Sequence, residues 1–119
     1  MSKHDNIKIA RAVISQEITG LESMIDSLGA EFDKLIERSL NVKGHVVLSG
    51  MGKSGHVANK IAATLASTGT PAFAIHPGEA SHGDLGMVTN NDLLILLSNS
   101  GETKELGDLI YYANRFHIP

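Results

Sequence analysis

Lys53 stands inside VVLSGMGKSGH (residues 46–56), where Gly50, Gly52 and Gly55 spell G-x-G-x-x-G and Gly52-Lys53-Ser54 supplies a G-K-S tail. Both patterns set backbone N–H groups against a phosphate where a helix starts. A second polar turn, LLSNSGETKE (96–105), gathers Ser98, Asn99, Ser100 and Thr103 around Gly101. Hydroxyls beside free backbone N–H groups make a cradle for a dianionic phosphate ester, and this set exceeds what helix capping requires. Between the two turns, IHPGEASHGDLGMV (75–88) collects His76, Glu79, His82 and Asp84. Two chemistries are open to it. His76, His82 and Asp84 could ligate a metal such as zinc, or the histidines could serve proton transfer and hydroxyl recognition in a polar cleft.

The glycine pattern does not select its phosphate compound unaided. A triphosphate loop wants its first glycine at position 47, which is Val47. A dinucleotide site wants an acid at the end of the second strand to hold a ribose hydroxyl. That strand closes on Ile75-His76-Pro77, with Glu79 only after a Pro-Gly turn. Lys53 within the loop suits a monophosphate or a polar sugar better than a dinucleotide. His4, His45 and His117 have no comparable company and read as surface or packing residues.

Alternating strands and helices must position these turns. HVVLSG (45–50) is a short β-branched run ending in glycine, hence a buried strand. HVANKIAATLAST (56–68) carries helical spacing in Val57, Ile61 and Leu65, closed by Gly69. PAFAI (71–75) and DLLILLS (92–98) are two further strands, the latter apolar enough to be covered on both faces. ETKELGDLIYYANRF (102–116) is a helix with Leu106, Leu109, Ile110 and Ala113 on one side. This alternation means β-α units and a parallel sheet. HIP (117–119) reads as the start of a fourth strand, so the sheet is expected to be incomplete in these residues.

Upstream, residues 5–40 are helical, broken near Gly29. Ile14, Ile18, Leu21, Ile25, Leu28, Phe32 and Leu35 step alternately by four and three, which lays them on one stripe. The stripe is either a core-facing surface or a seam against another subunit.

Composition bounds the partners. The 119 residues are 42% apolar and 19% charged, with a formal net charge of −3, and the ten Lys and Arg are scattered. Nucleic acid and anionic membrane are therefore not expected as main partners. Cysteine is absent, which removes disulfides, thiolate nucleophiles and Cys-ligated zinc. No apolar run approaches the roughly 18 residues of a membrane span, and the N-terminus lacks a secretory apolar core. A soluble cytoplasmic domain is the expectation.

Taken together, SGMGKSGH, STGTPAFAIHPGEASHGDLGMV and LLSNSGETKEL resemble the sugar isomerase (SIS) domain of D-arabinose 5-phosphate isomerases, from about residue 44 onward. The resemblance implies an α/β, three-layer αβα fold around a parallel sheet with flavodoxin-like winding, preceded by N-terminal helices. It divides the chain into a helical segment (1–42) and the first part of an SIS domain (43–119). It implies interconversion of D-ribulose 5-phosphate and D-arabinose 5-phosphate through a cis-enediol, feeding Kdo for lipopolysaccharide or capsule, with no required cofactor. By the same resemblance Lys53 and Glu105 are active-site residues. Ser49, Gly50, Gly69, Thr70, His76, His82, Ser98, Asn99, Ser100, Gly101 and Thr103 fall at substrate-binding positions, and His76 at a site for inhibitory zinc. It further implies a homo-oligomer, as a tetramer. Relatives of this kind continue beyond the length seen here and carry more of the catalytic set, so little activity is expected of these residues alone. A non-catalytic sugar-phosphate sensor is the alternative.

Overall fold

The computed structural model describes residues 3–119, with side chains from residue 5 onward. The chain divides into two compact units, one running to Ile36 and the other from Glu37 to Pro119.

The first unit is helical. Helix α1 (Lys3–Ser27) and the start of α2 (Ala30–Asn41) flank a break at Leu28 and Gly29, where the sequence places it. The apolar stripe is exposed throughout: Ile18 retains 49%, Leu21 62% and Ile25 68% of full accessibility.

The second unit is built on strands β1 (Val46–Gly50), β2 (Ala72–Ile75) and β3 (Leu93–Leu97), all parallel, in the order β2-β1-β3. Central β1 is the strand covered completely, while β3 is only half-buried beyond Leu93. The sequence assigns full coverage to β3, but the strand order sets β1 between its neighbours and leaves β3 at an edge. Alternation along β1 then divides the core. Val46 and Leu48 pack against Ala58 and Ala62 of helix α3 (Lys53–Ser67). Val47 faces the opposite layer, with Ile75, Val88, Leu106, Leu109 and Ile118. Each buried valine, leucine or isoleucine among them contributes about 1.5–3 kcal/mol. These two layers around one sheet are the expected αβα arrangement.

Three boundaries differ from the sequence expectation. Helix α3 begins at Lys53 rather than His56, because Gly52 turns the chain at φ 55° and the helix follows immediately. The stretch after β2 is not an open loop. Pro77 opens a short helix, α4 (Pro77–Ser81), with a 3-10 turn at Asp84–Met87 after it, and proline suits the first helical position. The last helix is split into a 3-10 turn (Lys104–Leu106) and α5 (Gly107–Arg115). Beyond α5, the Leu94 N–H donates to the Pro119 carbonyl at 2.9 Å, so the HIP tail pairs with the outer edge of β3 where a fourth strand would run.

Candidate functional site

The glycine turn is fixed by close packing as much as by conformation. A Cβ on Gly55 would lie 2.6 Å from the Gly50 carbonyl oxygen, and one on Gly50 would lie 2.8 Å from the Ser54 backbone. Glycine at both positions lets the first turn of α3 rest on the end of β1, the role of the third glycine in dinucleotide turns. Lys53 and Ser54 are thereby carried on the opening turn of a helix whose N-terminus has no side-chain cap.

Two cavities open where β1, β2 and β3 end. One, of about 480 Å³, is lined by Lys53, Ser54 and Val57 on one side and by Leu96, Leu97, Ser98 and Asn99 on the other. The second, of about 390 Å³, is lined by Gly50, Gly52, Gly55, His56, Asn59, Ala74, Ile75 and His76. In a 2-1-3 parallel sheet, the crevice between the first and third strands is the topological switch point, where open α/β sheets bind ligands. The lysine-bearing turn and the serine turn meet there.

The serine turn closes on itself. Ser98 Oγ and Thr103 Oγ1 are 2.6 Å apart, the Gly101 N–H donates to Ser98 Oγ at 3.0 Å, and the Glu102 N–H donates to Ser100 Oγ at 3.1 Å. Two of the N–H groups expected to be free, those of Gly101 and Glu102, are thus held by serine hydroxyls. A phosphate seated on these two N–H groups would have to take over their bonds.

The remaining site residues distribute unevenly. Ser49 is fully buried, and its hydroxyl donates to the Ile75 carbonyl at 2.6 Å, tying β1 to β2. Gly69 and Thr70 lie between α3 and the start of β2, at the edge of the sheet opposite the two cavities. Glu105 is exposed in its 3-10 turn and lines neither cavity, and His82, Ser100, Gly101 and the half-buried Thr103 also line neither. His76 is exposed rather than sealing a buried strand. It caps α4, with Nδ1 accepting the Gly78 N–H at 3.0 Å. Sequence reasoning missed Ser54, His56 and Asn59. A helix start at Lys53 would have brought Ser54 onto the opening turn, and the one-turn spacing of positions 56 and 59 on one helix face was already there to read.

A metal does not fit as the sequence suggested. Among the described residues no three His, Asp or Glu side chains converge, so His76, His82 and Asp84 form no ligand set. His76 also has one nitrogen already occupied by Gly78.

The SIS domain profile matches residues 39–119. The chain belongs to the SIS domain family. Among curated SIS relatives, arabinose 5-phosphate isomerase KdsD of Pseudomonas aeruginosa is 51% identical over 96% of this chain and 35% of its own length. Arabinose 5-phosphate isomerase KpsF of Escherichia coli O6:H1 is 52% identical over 87% of this chain and 32% of its own. An E. coli CFT073 protein solved in complex with arabinose 5-phosphate superposes with a TM-score of 0.90 at 45% identity, covering 98% of this chain and 62% of that one. The chain spans about a third of the length of the curated relatives it matches. Among the described residues no helix is long and apolar enough to cross a membrane.

Proposed function

We propose that the protein containing this chain is an arabinose 5-phosphate isomerase, interconverting D-ribulose 5-phosphate and D-arabinose 5-phosphate. The observation that carries the proposal is the shared cavity of Lys53 and Ser98–Asn99 at the β1/β3 crevice. The names of the relatives at about half identity support it. In this proposal the phosphate is held by the turn from Ser98 to Thr103 together with the opening turn of α3. Lys53, on the wall of the same cavity, pairs with that phosphate or with the enediolate oxygen that develops as a proton moves between adjacent carbons. Glu105 takes part in that proton transfer in the assembled enzyme, where a well-placed carboxylate contributes about 10²–10⁴-fold. The chemistry moves a proton and no hydride, so it calls for no redox cofactor. The product would feed Kdo synthesis for lipopolysaccharide or capsule in the cytoplasm.

The stripe on α1, exposed and spaced at 3.5 residues, supports self-association through helix pairing, and the assembly we propose is a homotetramer. Measuring ribulose 5-phosphate formation from arabinose 5-phosphate with the full-length protein tests the central proposal. Turnover is expected, and tight binding with no product would overturn it.

A second reading has one observation in its favour. Glu105 lies outside both cavities, which favours a non-catalytic sugar-phosphate sensor, a module that binds the ester without converting it.

A further inference from the structure

His76 is an uncommon choice of cap. Serine, threonine, aspartate and asparagine satisfy an N-terminal N–H with a single short acceptor. An imidazole does the same with one nitrogen and carries a second on the far side of the ring. Here Nδ1 accepts the Gly78 N–H at 3.0 Å. A nitrogen that accepts a hydrogen bond cannot carry the proton, so the neutral ring holds its hydrogen on Nε2. The ring also needs room. A Cβ on Gly78 would sit 3.0 Å from Nδ1 and 3.2 Å from Cε1, tighter than an ordinary contact. The same residue therefore supplies the bond that selects the tautomer and the space that lets the ring reach it. His76 lines the cavity that also presents His56 and Asn59.

We propose that Gly78 is a positioning residue: its N–H and missing side chain hold His76 as the Nε2–H tautomer, a fixed donor for a ligand oxygen in the cavity with His56 and Asn59. The ligand class is a polyhydroxylated carbonyl compound, whose hydroxyl and carbonyl oxygens accept such a bond. For its ligand the inference rests on the sugar-phosphate reading above; for the tautomer it does not.

The test uses full-length protein and has two arms. In the first, long-range ¹H–¹⁵N spectra of histidine-labelled protein, recorded at a pH where the ring is neutral, assign each nitrogen of His76. An acceptor-type Nδ1 and protonated Nε2 are expected, with a shift toward mixed tautomers in Gly78→Ala. A protonated Nδ1 in the parent protein overturns the proposal, and so does a Gly78→Ala spectrum identical to the parent's. In the second arm, arabinose 5-phosphate binding is measured by calorimetry for two variants that split the ring's roles. His76→Asn keeps an acceptor near Nδ1 and loses the far donor. It should keep its thermal midpoint and bind about five- to tenfold more weakly, the worth of one hydrogen bond. His76→Gln places an amide N–H near Nε2 and loses the cap. It should melt earlier and bind within about twofold of the parent. Asparagine binding as tightly as the parent overturns the donor role. Parent protein that binds no arabinose 5-phosphate defeats the sugar-phosphate reading, and the spectra then decide the tautomer independently.

Discussion

The Asp92 carboxylate accepts the backbone N–H of His45 at 2.7 Å, joining the start of β3 to the start of β1 across 47 residues of sequence. The same side chain, only 4% exposed, also accepts the Thr89 N–H at 2.7 Å and the Thr89 hydroxyl at 3.2 Å. Burial alone would raise its pKa, but these hydrogen bonds, aided by the nearby His45 ring, outweigh it and hold the carboxyl below its ordinary value. A depressed folded-state pKa stabilises the fold above the ordinary carboxylate range, and that contribution fades as the pH drops through the folded value. Asp92→Asn is expected to flatten the acid limb of a stability-versus-pH curve. It should also cost about 1.5–3 kcal/mol near neutrality, the worth of hydrogen bonds to a charged group. Denaturant melts of parent and variant across the acid range check both.

Gly55 rests against the Gly50 carbonyl with no room for a methyl group. Gly55→Ala should force the first turn of α3 off β1 and cost about 1–3 kcal/mol through overpacking. Gly20→Ala is the control, since nothing lies within 4 Å of its Cβ position. That exchange should instead stabilise by up to about 1 kcal/mol, from helix propensity. Thermal melts of the two variants side by side should separate them in sign.

Lys53 is exposed on the opening turn of α3 and faces Ser98 and Asn99 across one cavity. Lys53→Met should leave the thermal midpoint unchanged and weaken sugar-phosphate binding about 10–100-fold, the worth of a charge-assisted hydrogen bond. Calorimetric titration gives the number. Binding equal to the parent's would remove Lys53 from the site.

Glu105 lies in an exposed 3-10 turn. If it transfers a proton in the full-length enzyme, Glu105→Gln should lower kcat at least about 100-fold with an unchanged melting curve. Turnover near the parent's would leave it as an acid that merely favours a helix start.

On α1, Ile18 and Leu21 sit on the exposed stripe. Replacing both with lysine should reduce the sedimentation mass of the full-length protein to that of a smaller assembly. An unchanged mass would place the subunit contacts elsewhere.

The strands and the break near Gly29 were legible because short β-branched runs and a 3.5-residue stripe have few other readings. Helix starts were less so. Gly55 argues against helix on propensity and is helical because β1 passes too close for any side chain. The Pro-Gly pair at 77–78 has turn composition, yet proline at a first helical position left α4 hidden. Among site residues, Lys53, Ser98 and Asn99 were legible as a set, since both turns leave the same edge of a parallel sheet. The burial of Ser49 was not, because its hydroxyl is satisfied by Ile75, a partner that only the β1–β2 register supplies. Gly69 and Thr70 came from resemblance, and topology puts them at the far edge.

The internal bonds of the turn from Ser98 to Thr103 bear on how it would hold an anion. With Gly101 and Glu102 already bonded to serine oxygens, an arriving anion replaces existing partners instead of filling unmet ones, so net affinity is lowered while shape selectivity is kept. Release is eased by the same exchange, since the vacated donors return to hydroxyls a few residues away. Under the proposed isomerase reading such a grip favours exchange over retention, and inorganic phosphate alone should bind the turn only weakly.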